Sequence, residues 1–411
     1  MEMNEPRGGV LQGVRVLDLS HVVAGPYATM YLAMLGAEII KVENPRTGGD
    51  VNRFTGPFEN GFSVRFCALN HNKKSVVIDL TAQEGKEVFL KLVEKSDIVV
   101  ENFRPGVLDK LGIGYEAMQK VNPKIVFGSI SGFGSYGPYR DLPAYDIIAQ
   151  AMSGIMWLNG REEDPPMKVG TSIGDIIAGV NLALGVLGAL HEAQRTGRGR
   201  RVEVSLVDCL VSSVMMDHIG YFHNGELPTR VGNRYREWCP YGGYPAKDGY
   251  YALGIGTDAF FKTLAREVLG RPDMAEDPRF SGHSGRVENR DEIESIITEW
   301  SMKHTVDEVC SELAKHGLPH AKVRNIDEIA EDEHIAGVRN MFPSYEQPGV
   351  GSVRVTNVPI RFPDTEELPL SPAPKFGEQT SDVLHRILNM SEEEINTLRQ
   401  KGILPAEGMK E

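Results

Sequence analysis

Several features that mark other protein classes are scarce or missing in this chain of 411 residues. Its four cysteines lie far apart, with no CxxC pair and no metal-ligand spacing, so we expect reduced thiols, no disulfide and no metal site. Acidic residues outnumber basic ones by 57 to 44, and the formal net charge is -13. This balance argues against nucleic acid or an anionic membrane as the main partner.

Signals for export and membrane insertion are also missing. The N-terminal stretch MEMNEPRGGV has no basic or apolar leader pattern, and no apolar run approaches the length that spans a bilayer. The longest apolar segment, 176–190, is interrupted by three glycines and an asparagine, which is typical of a buried helix. We therefore expect a cytoplasmic protein.

The motifs of two common enzyme classes are absent. The first predicted βα turn, SHVVAGPYATM, lacks the GxGxxG pattern of a dinucleotide site, and the chain has no GxSxG or HExxH. These absences disfavour an NAD-dependent dehydrogenase and the common hydrolases.

What the chain does have is a regular alternation of strand and helix patterns. The runs VRVLDLS, AEIIKVE, SVVIDL, DIVVENF and PKIVFGSIS are separated by helical segments. Such alternation predicts parallel βαβ units and a doubly wound α/β core. Further along, the probable hairpin YPAKDGYYALGIG and three helical segments predict a smaller α+β domain.

These patterns divide the chain into four parts. We predict a large Rossmann-like domain over 1–215, a linker over 216–235, the small domain over 236–329, and a return strap with a C-terminal helix over 330–411.

The stretch KVGTSIGDIIAGVNLALGVLGALHEAQRTGRG places one carboxylate, Asp175, ahead of a nearly uncharged helix. One interpretation is an N-cap, since aspartate satisfies free N–H groups where a helix starts. The other is a nucleophile, which the helix dipole would keep ionised. The two interpretations are compatible.

Other polar and glycine residues occupy positions where a ligand could bind. Arg104 and Lys110 follow a predicted strand end and could contact a phosphate, although a solvated basic face is as good an interpretation. A glycine-rich loop ends at Tyr145 and Asp146. The pair Gly242 and Gly243 could form a turn or a mobile flap.

Taken together, these stretches resemble the family III CoA-transferases, and the resemblance covers nearly the whole chain. It rests on LDLSHVVAGPYATMYLAMLGAEIIKVE, NKKSVVIDL, GKEVFLKLVEKSDIVVENFRPGVLDKLG, NPKIVFGSISGFG, IGDIIAG and TGRGRRVEVSL. The family fold implied is a Rossmann-like domain with a smaller inserted domain, in a homodimer of two interlocked rings.

The resemblance implies the reaction and its residues. Asp175 would be the nucleophile, passing through mixed anhydrides and an aspartyl-CoA thioester while CoA moves from an acyl-CoA donor to an organic acid. A CoA thioester is then the substrate, with no tightly bound cofactor. By the same resemblance, the residues that contact CoA would be Val22, Ile78, Asn102, Phe103, Arg104 and Lys110, and the active-site neighbours would be His21, Val23, Tyr145, Asp146, Gly242 and Gly243.

Two departures from the family pattern bear on the substrate. Val23 stands where formyl-CoA transferase has a glutamine, which weakens an oxalate or formate assignment. Tyr145 stands where the racemase branch has a catalytic histidine, which disfavours an α-methylacyl-CoA racemase. A non-catalytic subunit of a paired transferase is a further alternative. Arg46, Arg53 and Arg65 could bind a dicarboxylate or be ordinary surface arginines.

Overall fold

Short strands rich in valine and isoleucine form one six-stranded parallel sheet, as the sequence predicts. The structure is a computed structural model that describes residues 9–406. The sheet order is β5-β2-β1-β6-β7-β8, and its strands are β1 (Arg15–Asp18), β2 (Glu38–Glu43), β5 (Lys73–Val77), β6 (Ile98–Glu101), β7 (Val126–Ser131) and β8 (Arg201–Ser205). Counted along the chain, these six strands follow the 3-2-1-4-5-6 order of the doubly wound fold. The predicted fold class is confirmed.

Helices cover both faces of this sheet, because the strands bury apolar side chains on both sides. One face packs mainly against α1 and α8, and the other against α3, α4, α5, α17 and α18. The helices of this part of the chain are α1 (Ala24–Met34), α2 (Val64–Asn70), α3 (Gln83–Glu94), α4 (Val107–Leu111), α5 (Tyr115–Val121), α6 (Asp146–Met152), α7 (Ile155–Leu158), α8 (Ile173–Thr196), α9 (Leu206–Ser213), α10 (Met215–Asn224), α17 (Thr380–Leu388) and α18 (Glu392–Gln400). Short 3₁₀ turns and small hairpins complete it: Val51–Phe54, β3 (Phe58–Glu59), β4 (Phe62–Ser63), β12 (Ser344–Gln347) and β13 (Gly351–Arg354).

The helix α8 corrects one expectation. By length and composition it is apolar enough to cross a membrane, whereas we expected no apolar run of that length. Its buried side chains, including Leu182, Val186 and Leu190, belong to the core between α1 and the sheet. A core helix passes the same test, so the result is weak evidence for a membrane span.

The second part of the chain contains an antiparallel sheet ordered β11-β10-β9. Strands β9 (Tyr241–Ala246) and β10 (Gly249–Gly254) form the predicted hairpin, although its connection is Lys247–Asp248 rather than Asp248–Gly249. The sequence analysis did not identify the third strand, β11 (His320–Lys322). The accompanying helical segments are α11 (Asp258–Thr263), Leu264–Val268, α12 (Pro272–Glu276), Pro278–Phe280, α13 (Gly282–Glu288), α14 (Arg290–Ser301), α15 (Val306–Lys315), α16 (Ile326–Ala330) and Glu333–Val338.

The chain divides into two compact units. The first contains the chain up to Ile155, then Val169–Met216 and the part from Ala336 onward; the second contains Met156–Lys168 and Asp217–Ile335. This division differs from the expected one in assigning 156–168 to the second unit and in leaving no separate linker at 216–235.

A buried ionic network lies at the carboxyl edge of the parallel sheet. Lys73 Nζ lies 3.0 Å from Asp18 Oδ2, and both side chains are fully buried. Burial alone would raise the pKa of Asp18, but the charges of Lys73 and Lys41 outweigh it and hold the pKa below its ordinary value. The carboxylate is therefore ionised and fixes the end of β1.

Candidate active site

The first and fourth strands of the sheet, β1 and β6, lie side by side where the direction of winding reverses. Their carboxyl ends are joined through an amide: His21 N–H donates to Asn102 Oδ1 at 2.9 Å, and Asn102 Nδ2 donates to the His21 carbonyl at 2.7 Å. The His21 ring also packs on Phe103, with ring centroids 5.3 Å apart. Open α/β sheets bind ligands at such a position.

A cavity of about 340 Å³ opens at this edge. His21 and Phe103 line it, as do residues of β2, of the segment after it and of α4. Burial lowers the pKa of His21, although Asp50 opposes this, so the imidazole that faces the cavity is neutral at pH 7.

The other residues that the resemblance assigns to CoA differ in burial and in position. The Ile78 side chain is fully buried in the core beneath the sheet, so only its backbone can approach a ligand. Arg104 lines a second, smaller cavity of about 30 Å³, together with Glu101. Lys110 is exposed on α4, where its ammonium is free to move. Val22 lies in the turn after β1.

Asp175 is not the N-cap residue of α8. Ser172 holds that position, and Asp175 is the third residue of the helix, partly buried. The expectation that the helix start would dominate its ionisation is wrong. Burial, with a smaller contribution from the negative charge of Asp146, raises the pKa of Asp175 to about 6, and Arg65 opposes the shift.

Asp146 performs the capping that the sequence analysis assigned to Asp175. Its Oδ1 accepts a hydrogen bond of 2.7 Å from Gly174 N–H in the first turn of α8, and its Oδ2 accepts one of 2.6 Å from Gln150 Nε2. A Cβ on Gly174 would lie 2.9 Å from Asp146 Oδ1. Glycine at 174 therefore permits this approach. Because Asp146 provides the cap, the carboxylate of Asp175 takes no part in it.

Gln150 supports this arrangement and was missed by the sequence analysis. Its side chain is fully buried, and its Oε1 accepts a hydrogen bond of 2.8 Å from Val169 N–H in the segment that leads to α8. No motif marks it; its only signal is a polar residue on the inner face of α6, four positions after Asp146. Gln150 thus fixes both the capping carboxylate and the chain ahead of Asp175.

The remaining predicted site residues are placed as follows. Tyr145 precedes α6 and its side chain is exposed. Gly242 and Gly243 lie in the second unit, within β9, where they pair with Leu253 and Ala252. A Cβ on Gly242 would lie 2.4 Å from the Asn233 carbonyl oxygen. These two glycines thus form neither the turn nor the loose flap we considered; close backbone packing requires glycine at 242.

The start of α8 also lies against the start of α1. A Cβ on Gly179, one turn after Asp175, would lie 2.8 Å from the Ala24 carbonyl oxygen. Gly179 of α8 therefore packs against the first residue of α1, which follows the turn that carries His21. The start of α8 thus offers a partly desolvated carboxylate, ionised at neutral pH, which is suitable for nucleophilic chemistry.

Comparison with known proteins gives matches over nearly the whole chain. The sequence model described as CoA-transferase family III matches residues 11–380. The chain is 37% identical to the succinyl-CoA:mesaconate CoA-transferase of Haloarcula hispanica, over 92% of this chain and 96% of that protein. It is 36% identical to the acetyl-CoA:oxalate CoA-transferase of Acetobacter aceti, over 90% of this chain and 94% of the relative.

Two further matches concern subunits and structure. The chain is 33% identical to the beta subunit of the succinyl-CoA–L-malate CoA-transferase of Chloroflexus aurantiacus, over 96% of this chain and 98% of that subunit. A crystal structure of a CAIB/BAIF family protein from Brucella suis has a TM-score of 0.81 and 33% identity, and the match covers 93% of this chain and 100% of that one.

The pKa of Asp175 in the folded protein is about 6, above its ordinary value of 3.8. The protonated carboxyl therefore favours the folded state at low pH, and this contribution to stability is lost as the group ionises with rising pH. We expect Asp175→Asn to raise the thermal midpoint at about pH 8 and to lose that gain toward about pH 4. Calorimetry across this range measures the effect. Asp208→Asn, at the same position of α9 but exposed, is the matched control. An equal gain at both pH values would contradict the pKa shift.

Proposed function

The chain belongs to CoA-transferase family III, and on this basis we propose that Asp175 is the nucleophile of its CoA transfer. The reaction class is that of its relatives, which are CoA-transferases. The observation that carries the proposal is the Asp175 carboxylate itself. It is partly buried, its pKa of about 6 leaves it ionised at neutral pH, and Asp146 rather than Asp175 caps the helix.

The steps follow from the chemistry of carboxylates and thioesters. The Asp175 carboxylate attacks the carbonyl carbon of the donor thioester, the C–S bond breaks, and CoA leaves as a thiolate beside a mixed anhydride. The thiolate then attacks the Asp175 carbonyl carbon, which releases the first acid and leaves an aspartyl-CoA thioester. The acceptor carboxylate attacks the carbonyl carbon of this thioester, the C–S bond breaks, and CoA leaves again as a thiolate beside a second anhydride. The thiolate finally attacks the acyl carbonyl, which forms the new thioester and frees Asp175.

The environment of Asp175 suits these steps. An anhydride or thioester on an exposed aspartate would be hydrolysed, so the site must exclude water and hold both partners in place. Partial burial strengthens the nucleophile by removing solvating water, whereas a pKa far above neutral would keep it protonated. A value of about 6 satisfies both requirements.

CoA fits the edge of the sheet where β1 and β6 end. The cavity lined by His21 and Phe103 offers a largely apolar surface, and its lining also includes Lys41, Glu43 and Asp50. Arg104 and Lys110 supply positive charge near the same strand end, and guanidinium and ammonium groups suit phosphates. We assign CoA to this edge.

For the acyl group we propose a dicarboxylate. Two of the three arginines that the sequence analysis considered are already paired: Arg46 with Asp79 at 2.8 Å and Arg53 with Glu43 at 2.7 Å. Arg65 is exposed at the start of α2, and its charge acts on Asp175. A second carboxylate on the substrate would pair with it. The relatives named for mesaconate and oxalate act on dicarboxylates, which supports this proposal.

We propose that the working form is a homodimer. In the first unit, apolar side chains on neighbouring helices are exposed, which is unusual for a surface that stays in water: Ile147, Ile148, Met152, Val180, Leu184 and Val211. A second copy would cover them. A paired, different subunit, as in the L-malate enzyme, is the alternative, but Asp175 in this chain favours a catalytic subunit.

The nucleophile is tested by peptide mass spectrometry after the protein is mixed with a panel of acyl-CoA thioesters without acceptor. We expect CoA attached at Asp175, and we expect Asp175→Asn to lose the adduct and at least about 10³-fold in transfer rate. Asp208→Asn should keep both. If no donor gives an adduct, while Asp175→Asn still changes the activity on a chiral acyl-CoA, the chemistry is proton exchange rather than transfer.

The substrate class is tested with Arg65→Gln. At about pH 8, where Asp175 is ionised in either protein, we expect kcat/KM for dicarboxylate acceptors to fall roughly tenfold to a hundredfold, the value of a charge-assisted hydrogen bond. Values for acetate should change little. Arg195→Gln, in the exposed last turn of α8, is the control. Equal losses for both acceptor classes would rule out recognition of the second carboxylate.

The assembly is tested by light scattering on the purified chain. A homodimer predicts a mass twice the 45.4 kDa of one chain. Leu184→Glu, which places a charge on the exposed apolar surface, should shift the population toward single chains. A monodisperse single chain with full transferase activity would overturn the homodimer.

A further inference from the structure

Val22 has a backbone conformation that valine rarely adopts. Its φ angle is 68°, in the left-handed region where the Cβ of an L residue crowds the backbone, and branching at Cβ makes the crowding worse. Such a residue persists only where its surroundings hold it, and positions of this kind cluster at functional sites. The turn after β1 must therefore contain groups that hold Val22.

Two buried side chains provide those groups. The Val22 N–H donates to Asp50 Oδ1 at 3.1 Å, and Asn52 Nδ2 donates to the Val22 carbonyl. Asp50 Oδ1 also accepts from Asn52 N–H at 3.0 Å, so the two side chains are fixed to each other. We name Asp50 and Asn52 together the Val22 clamp. Both are at most 2% exposed, which excludes water from competing for these bonds.

The clamp is attached to the sheet by charge. Lys41 Nζ lies 3.0 Å from Asp50 Oδ2, and it donates to the Ser20 carbonyl at 2.6 Å. Lys41 is 1% exposed. Separating the partners of a buried ion pair costs much free energy, since each would be left as an uncompensated charge. The turn is thus held at Ser20 and at Val22.

The clamped residue lies between the two parts of the reaction site. On one side is His21, whose ring lines the cavity at the sheet edge. On the other is Val23, the N-cap residue of α1. The next residue, Ala24, contacts α8 at Gly179, one turn after Asp175. A change of the Val22 conformation would shift the start of α1 relative to Asp175.

We propose that Asp50 and Asn52 are positioning residues for CoA transfer: by holding Val22 in the left-handed conformation, they set the His21 turn and the start of α1 against Asp175. Asp50 also lines the cavity that we assign to CoA, but neither residue contacts the reacting atoms in this account. The inference rests on the proposed role of Asp175, and it assigns a function to two residues that the sequence analysis did not select.

The test measures the rate at which the Asp175–CoA adduct forms. Asn52→Ala removes the donor to the Val22 carbonyl, and we expect a loss of about tenfold, which corresponds to the cost of a left-handed L residue. Val22→Gly removes that cost, because glycine adopts positive φ freely. In the Val22→Gly background, Asn52→Ala should therefore lower the rate by no more than about threefold.

This rescue separates positioning from general stability. At an ordinary position, replacing valine by glycine loses apolar contacts and adds unfolded-state entropy, so it would deepen a stability defect rather than relieve it. Asn224→Ala, an exposed asparagine in α10, controls for the substitution itself and should leave the rate unchanged.

The outcomes decide the proposal in each case. An unchanged rate for Asn52→Ala, or an undiminished tenfold loss in the Val22→Gly background, overturns the clamp. If Asn52→Ala is insoluble, the comparison of Val22→Gly with the double variant carries the test, and insolubility of the double variant also overturns the proposal. An absent adduct in the unsubstituted protein would instead refute the proposed role of Asp175.

Discussion

The carboxyl edge of the parallel sheet depends on the buried pair of Lys73 and Asp18. Asp18 ends β1, and its carboxylate accepts hydrogen bonds from Ser20 in the following turn, from Thr29 in α1 and from Lys73 in β5. A single charged group therefore joins a strand, a turn, a helix and a second strand. Removing any one donor would leave a buried charge less well compensated, which is expensive in an apolar interior. Lys41 extends this network toward the turn that carries His21.

Two aspartates at the start of α8 have different environments and different roles. Asp146 binds the N–H of Gly174 and is held by Gln150, so its charge is used for structure. For Asp175, burial and the nearby negative charge of Asp146 outweigh the opposing charge of Arg65 and raise its pKa to about 6. A helix start by itself favours an ionised carboxylate. Here desolvation is the larger effect, as expected where a side chain has lost part of its water.

This compromise suits the proposed role of Asp175 as a nucleophile in CoA transfer. The energy of a thioester is conserved only if the acyl group passes between carboxylate, anhydride and thiolate without meeting water. A fully solvated aspartate would be too well stabilised to attack, and a deeply buried one would be protonated. A partly buried carboxylate on the first turn of α8, with a pKa of about 6, satisfies both conditions at neutral pH.

Strand-helix periodicity is local, so the sequence predicted the fold class and the strands of the parallel sheet, and the long, ordered family motifs selected Asp175 as the candidate nucleophile. The end of the strand before Asn102 was also a candidate ligand site, since open parallel sheets bind ligands beyond their carboxyl ends, whereas His21 was selected only by the family resemblance. Three facts are visible only in the folded chain: Asp146 caps α8, Ile78 faces the core, and Asn52 holds Val22. These facts depend on which distant side chains share a buried space, and hydrogen bonds between residues far apart in the chain leave no periodic signal in the sequence.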